Sequence, residues 1–162
     1  MKNANIALNL FSEAVDATES IGEKIGRLLK QGDVICLIGG LGAGKTALTR
    51  GIGRGWGTTQ RVTSPTFTLI NEYYRSQDHQ ILYHLDCYRL MSDDDVETIG
   101  LDDILAAEGA VVIEWPQVAS DWLPADHLKI EFESVDENSR QLKLIAFGPR
   151  SQNILQQLDS NS

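Results

Sequence analysis

Three groups of residues in this 162-residue chain combine residue types and spacings that can do chemistry. The first is the string Gly39-x-x-x-x-Gly44-Lys45-Thr46. Its glycines let successive backbone N–H groups curl round an anion, its lysine reaches the outer phosphate oxygens, and its threonine hydroxyl suits Mg²⁺. The second is a pair of carboxylates that close apolar runs, Asp86 after Ile81-Leu82-Tyr83-His84-Leu85 and Glu114 after Ala110-Val111-Val112-Ile113. A bound triphosphate needs carboxylates near its metal, and in parallel α/β sheets these come from the C-terminal ends of neighbouring strands. The third is Thr63-Ser64-Pro65-Thr66, where the proline pushes Ser64 out of helical conformation and leaves hydroxyls to point at a ligand. Together these predict binding of a nucleoside triphosphate with Mg²⁺.

The neighbouring residues leave alternatives open. His84 shares a strand face with Asp86, and either touches it or is a satisfied core histidine. Trp115, fixed by Pro116, either packs near the nucleotide or covers the core. Arg50 and Arg54 lie one turn apart with Arg61 nearby. They contact an anion or pair with the acidic stretch that begins after Leu90, surface pairing being the simpler reading.

The elements that must position these groups follow from periodicity. Val34–Ile38 is a continuous apolar run of strand length, which suits a strand buried on both faces of a parallel sheet. The phosphate-binding string follows it directly and leads into a helix from Thr46 to about Gly53, whose N-terminal amides and dipole favour an anion. Glycines at 51, 53, 55 and 57 predict a frayed or loop-like end to that helix. An edge strand is expected over Ala4–Leu10, and a helix over Thr18–Leu29 with Ile21, Ile25, Leu28 and Leu29 on one face. Gly32-Asp33 marks a turn. Phe67–Tyr74 and Gln80–Asp86 read as strands joined by a polar hairpin connection. A helix is expected over Asp93–Leu105, a buried strand over Ala110–Glu114, and a last hairpin from Leu128–Glu133 and Gln141–Phe147. Residues 1–150 form one expected domain, and the polar tail 151–162 is expected as frayed helix or disordered chain.

At this length and 42% apolar composition the chain can bury one core but not two of ordinary size. No apolar run approaches a membrane span or a signal peptide, so the expected location is cytoplasmic. Cys36 and Cys87 lack metal or redox spacing and read as reduced core residues. The net charge of −9 disfavours direct nucleic-acid or anionic-membrane binding. From Leu90 to Leu128 there are ten acids and no Lys or Arg, either a solvated helix face or a docking surface for a basic partner. The same stretch argues against small-molecule kinases, whose arginine-rich lid would fall there. A kinase is therefore the runner-up. With no Asn-Lys-x-Asp element to read guanine, adenine is the expected base.

Four segments, in order, resemble one family: Leu41-Gly42-Ala43-Gly44-Lys45-Thr46, Ser64-Pro65-Thr66-Phe67-Thr68-Leu69, Tyr83-His84-Leu85-Asp86-Cys87-Tyr88-Arg89-Leu90 and Ile113-Glu114-Trp115-Pro116. Ser139-Arg140 also fits. The chain is identified on these segments as similar to TsaE (formerly YjeE), the small bacterial ATPase family of tRNA threonylcarbamoyladenosine (t6A37) biosynthesis. The resemblance implies an α/β, three-layer P-loop NTPase fold with a mainly parallel central sheet and antiparallel edge strands. It implies ATP contacts from Leu41, Gly42, Ala43, Gly44, Lys45 and Thr46, Mg²⁺ coordination by Thr46 and Glu114, and hydrolysis depending on Asp86 and Glu114. Ser64 and Thr66 would form a nucleotide-sensing loop, and Arg140 would lie near the nucleotide. It further implies partner subunits of TsaB and TsaD type, with hydrolysis resetting or regulating their complex and tRNA involved only indirectly. A competing expectation is an assembly factor in which nucleotide binding matters and turnover is incidental. The chain departs from the family at Gly40, where members usually have Asp, and matches it only loosely from Ser12 to Thr18.

Overall fold

The structure, a computed structural model, describes residues 5–40, 42–65 and 69–160. Its strands are β1 (Ile6–Ser12), β2 (Val34–Ile38), β3 (Ile70–Tyr74), β4 (Ile81–Asp86), β5 (Gly109–Glu114), β6 (Leu128–Ser134) and β7 (Arg140–Ala146). The helices are α1 (Val15–Leu28), α2 (Lys45–Trp56), α3 (Asp93–Thr98), α4 (Leu101–Ala106) and α5 (Pro149–Ser160), with a 3₁₀ segment at Pro116–Trp122. The strands form one mixed sheet in the order β1-β7-β6-β2-β5-β4-β3. Its four central strands β6, β2, β5 and β4 are mutually parallel, while β7, β1 and β3 run antiparallel to the strands they pair with.

The apolar run of β2 is explained by cover on both sides. Ile35 and Leu37 enter a core shared with α1, α2 and α5, whereas Val34 and Cys36 enter one shared with α3 and α4. Cys36 and Cys87 are free thiols in that second core, and burial pushes both up to about 12. They are inert structural residues at neutral pH.

Three expected elements differ in the structure. Helix α2 does not fray at its glycines but runs to Trp56 and stops at left-handed Gly57. Its glycines admit α1: a methyl on Gly51 would lie 2.0 Å from the Glu19 carbonyl oxygen, and one on Gly55 2.1 Å from that of Glu23. Gly22 and Gly26 of α1 return the arrangement, each with a notional methyl 2.2 Å from a carbonyl oxygen of α2. The helix expected over Asp93–Leu105 is split into α3 and α4 by Gly100, whose φ of 76° interrupts the helical path. The expected polar tail from Ser151 is the helix α5, ordered because Ile154, Leu155 and Leu158 are buried in the α1/α2 core.

Candidate functional site

Between β2 and α2 the chain turns through Gly42 and Gly44, both at positive φ, so the loop closes before the helix starts at Lys45. Gly39 is tightly enclosed, since an added methyl would meet Ala43 and Phe132 at 3.0 Å. Gly40, by contrast, faces open space, and nothing in the packing demands glycine there. Leu41 lies outside the described residues.

Lys45 is buried, and its ammonium donates to the Gly39 carbonyl oxygen at 2.8 Å while sitting 3.9 Å above the Trp115 ring. Burial lowers its pKa from the ordinary value, against the opposing pull of Glu114 and Asp86. The two carboxylates therefore sense the lysine across the sheet edge.

Parallel pairing of β4 with β5 puts Asp86 opposite Glu114, and both are buried. The Asp86 Oδ1 accepts the Tyr88 backbone N–H at 2.9 Å. His84 reaches Glu114 instead of Asp86: its Nε2 lies 2.8 Å from Glu114 Oε2. The register permits this contact, because His84 is opposite Val112, two residues before Glu114 on the same face of the sheet. Trp115 packs beside the site, with its ring 5.1 Å from that of Tyr88 as well as over Lys45.

Two non-glycine residues at positive φ adjoin these strand ends, Leu69 at 69° and Trp115 at 56°. Leu69 accepts the Asp86 backbone N–H, and Trp115 follows Glu114 directly. Such conformations cost about 1–3 kcal/mol each and persist where the surroundings enforce them.

Lys45, Thr46, Ser64, Asp86, Glu114 and Trp115 line one cleft of about 260 Å³, together with Gly42, Ala43 and Gly44. Thr66 lies outside the described residues. Arg140 borders the loop, with its guanidinium donating to Gly42 O at 3.2 Å and to the carbonyl oxygens of Asp136 and Ser139 at 2.9 Å. Arg50 and Arg54 do not enter the cleft but pair with Glu19 and Glu23 of α1, away from the acidic stretch. Ser12 and Thr18, to which no role was assigned from sequence, form a buried hydroxyl pair 2.7 Å apart. Thr18 and Arg140 line a small cleft of about 110 Å³ against Gly42 and Gly44. Two isolated hydroxyl residues carry no sequence signal for that contact.

A helix N-terminus with a lysine and glycine-supported amides suits phosphate, and the Thr46 hydroxyl and Glu114 carboxylate are hard oxygen donors that suit Mg²⁺. Among the described residues no three His, Cys, Asp or Glu side chains group as a metal cage. A cation held by these two donors would need its remaining ligands from phosphate and water, which is the usual habit of Mg²⁺.

A phosphate-loop string between a buried parallel strand and a helix, facing two carboxylates at adjoining ends of a mixed seven-stranded sheet, marks this as a mixed α/β protein. The sequence model of the family "Threonylcarbamoyl adenosine biosynthesis protein TsaE" matches residues 12–142. The chain is 36% identical over 143 residues to the tRNA threonylcarbamoyladenosine biosynthesis protein TsaE of Bacillus subtilis, covering 88% of each. It is 38% identical over 142 residues to the protein of that name from Nostoc, covering 85% of each. The crystal structure of Bacillus subtilis YdiB superposes with a TM-score of 0.83 at 29% identity, covering 99% of both chains. The chain belongs to the TsaE family.

Proposed function

We propose that this chain is a Mg²⁺-dependent ATP-binding protein and ATPase with the three-layer P-loop NTPase fold, required for t6A formation in tRNA. Hydrolysis resets or regulates a cytoplasmic transferase complex of TsaB and TsaD type subunits. The observation that carries this reading is the meeting of Lys45, Thr46, Asp86 and Glu114 in one cleft at the start of α2.

In this reading Lys45 leaves Gly39 O for the β and γ phosphate oxygens, and the amides of Gly42 to Thr46 hold the phosphate chain. Thr46 and Glu114 would hold Mg²⁺, which would supply positive charge to the phosphate chain. Asp86 orients the water that attacks the γ phosphorus, with the bond to the ADP oxygen breaking in line. Ser64 and Thr66 distinguish triphosphate from diphosphate, and Arg140 steadies the loop from the far side. Membership of a family named for threonylcarbamoyl adenosine biosynthesis supports the tRNA pathway.

The test is phosphate release by the purified protein alone and with its two partner subunits. Strong stimulation by the partners is expected, with γ-phosphate appearing as inorganic phosphate. Transfer of labelled phosphate to an acceptor would instead favour a kinase.

A further inference from the structure

The contact between His84 and Glu114 goes beyond the ATP–Mg²⁺ reading and rests on it. His84 is fully buried and belongs to neither the lining of the cleft nor the apolar core residues around it. A carboxylate only accepts, so the 2.8 Å contact makes His84 Nε2 the donor to Glu114 Oε2. The other ring nitrogen, Nδ1, is buried with no partner among the described residues. A buried polar nitrogen without a partner lowers stability, and an aromatic or aliphatic residue of similar size would avoid that cost. Core packing therefore does not account for an imidazole at this position; its polar contact is with Glu114.

The two carboxylates also differ in what they need. Asp86 is short and is fixed by the backbone N–H of Tyr88, which most residues at that position would supply. Glu114 has one more rotatable bond, and its carboxylate takes its hydrogen bond from a side chain. Glu114 lines the cleft, and with Oε2 taken by His84 its Oε1 remains for a ligand.

We propose that His84 is a positioning residue: its Nε2–H holds the Glu114 carboxylate in the orientation that coordinates Mg²⁺ with bound nucleotide. Hydrogen-bonding partners of metal ligands act in this way elsewhere, and their loss costs metal affinity while leaving the rest of the site in place.

The experiment is calorimetric titration of ADP into the full chain with and without MgCl₂. In wild type, Mg²⁺ tightens ADP binding. In His84→Phe the Mg²⁺ concentration needed for half of that effect rises about 10–100-fold, while affinity for ADP alone stays within about 2-fold of wild type. His84→Gln, whose amide nitrogen takes the place of Nε2, restores the wild-type response. In a Glu114→Ala background, His84→Phe has no further effect on the Mg²⁺ response. Melting curves check folding, and if the Phe variant does not fold, His84→Asn, too short to reach Glu114, replaces it with the same expected loss. A wild-type Mg²⁺ response in the Phe or Asn variant overturns the role, as does a Gln variant as impaired as Phe. A wild-type protein that binds ADP without regard to Mg²⁺ overturns the ATP–Mg²⁺ reading itself, and this role with it.

Discussion

Asp86 and Glu114 stand side by side at two strand ends, yet the proposed chemistry asks different things of them. Asp86→Asn keeps the Tyr88 contact geometry and removes the charge that orients water. Turnover in the assembled complex should fall about 10²–10⁴-fold with nucleotide affinity nearly unchanged, measured by phosphate release and by titration. Lys45→Met makes a two-sided prediction. It should weaken nucleotide binding by about 10–100-fold through loss of charge-assisted hydrogen bonds. The empty fold should be no less stable, because a buried ammonium has been replaced by an apolar chain of similar length. The pH dependence carries the sign. The folded pKa of Lys45 lies below the ordinary 10.5, so the unfolded chain binds more protons just below that pH and wild-type stability gains from this lysine as pH rises through the range. Urea denaturation of the Met variant over the same range should lack that gain. The phosphate-loop string was legible in the sequence because its chemistry is local, and the carboxylates were legible because strand ends in parallel sheets face one edge. The partner of His84 was not, since it depends on the register of β4 against β5, thirty residues apart. The contact from Arg140 to Gly42 spans 98 residues and has no local signature in geometry.

The helices α1 and α2 touch through glycine, and this is where propensity misleads. Glycine is disfavoured in a helix interior, so four of them near the end of α2 predict fraying. Close approach to α1 outweighs that preference, because no side chain fits at Gly51 or Gly55. Gly51→Ala should therefore destabilise by about 1–3 kcal/mol or more by overpacking, whereas Gly40→Asp should leave the urea midpoint nearly unchanged. Helix α5 was hidden by its polar composition. The spacing of Ile154, Leu155 and Leu158 was a signal of one apolar face, but its start is set from a distance. Asp126 accepts the backbone N–H groups of Arg150 and Ser151 and the Ser151 hydroxyl, a cap supplied from another part of the chain. Burial pushes the Asp126 carboxyl up, and these three donors together outweigh it and hold the pKa below 3.8. Its stabilisation is thus fully present above pH 3.8 and is lost as pH falls through the lower folded value. Asp126→Ala should cost about 1 kcal/mol at neutral pH, and its difference from wild type should shrink on acidification, read by denaturant unfolding at several pH values. The strands were more legible than the helices, since β2, β4 and β5 are apolar runs bounded by polar residues or glycine.

At the scale of the whole molecule, charge and architecture agree. A net charge of −9, with α3 and α4 carrying a dense acidic run, opposes a phosphate backbone. The protein alone should show no saturable tRNA binding at micromolar concentration in about 150 mM salt, measured by filter retention; tight binding would contradict the indirect role for tRNA. No described helix is long and apolar enough to cross a membrane. Both sheet faces are covered by helices, so the strand ends that carry Asp86 and Glu114 rest on a buried centre. Lys45 is seated on the Gly39 carbonyl and over the Trp115 ring, contacts that satisfy its ammonium within the chain. In the proposed ATP cycle an arriving phosphate chain would have to displace those contacts, and they would re-form as it leaves, so part of the lysine's attraction for phosphate would be cancelled. Under the proposed role this lysine would hold nucleotide less tightly than its charge alone implies, which suits a component that releases it.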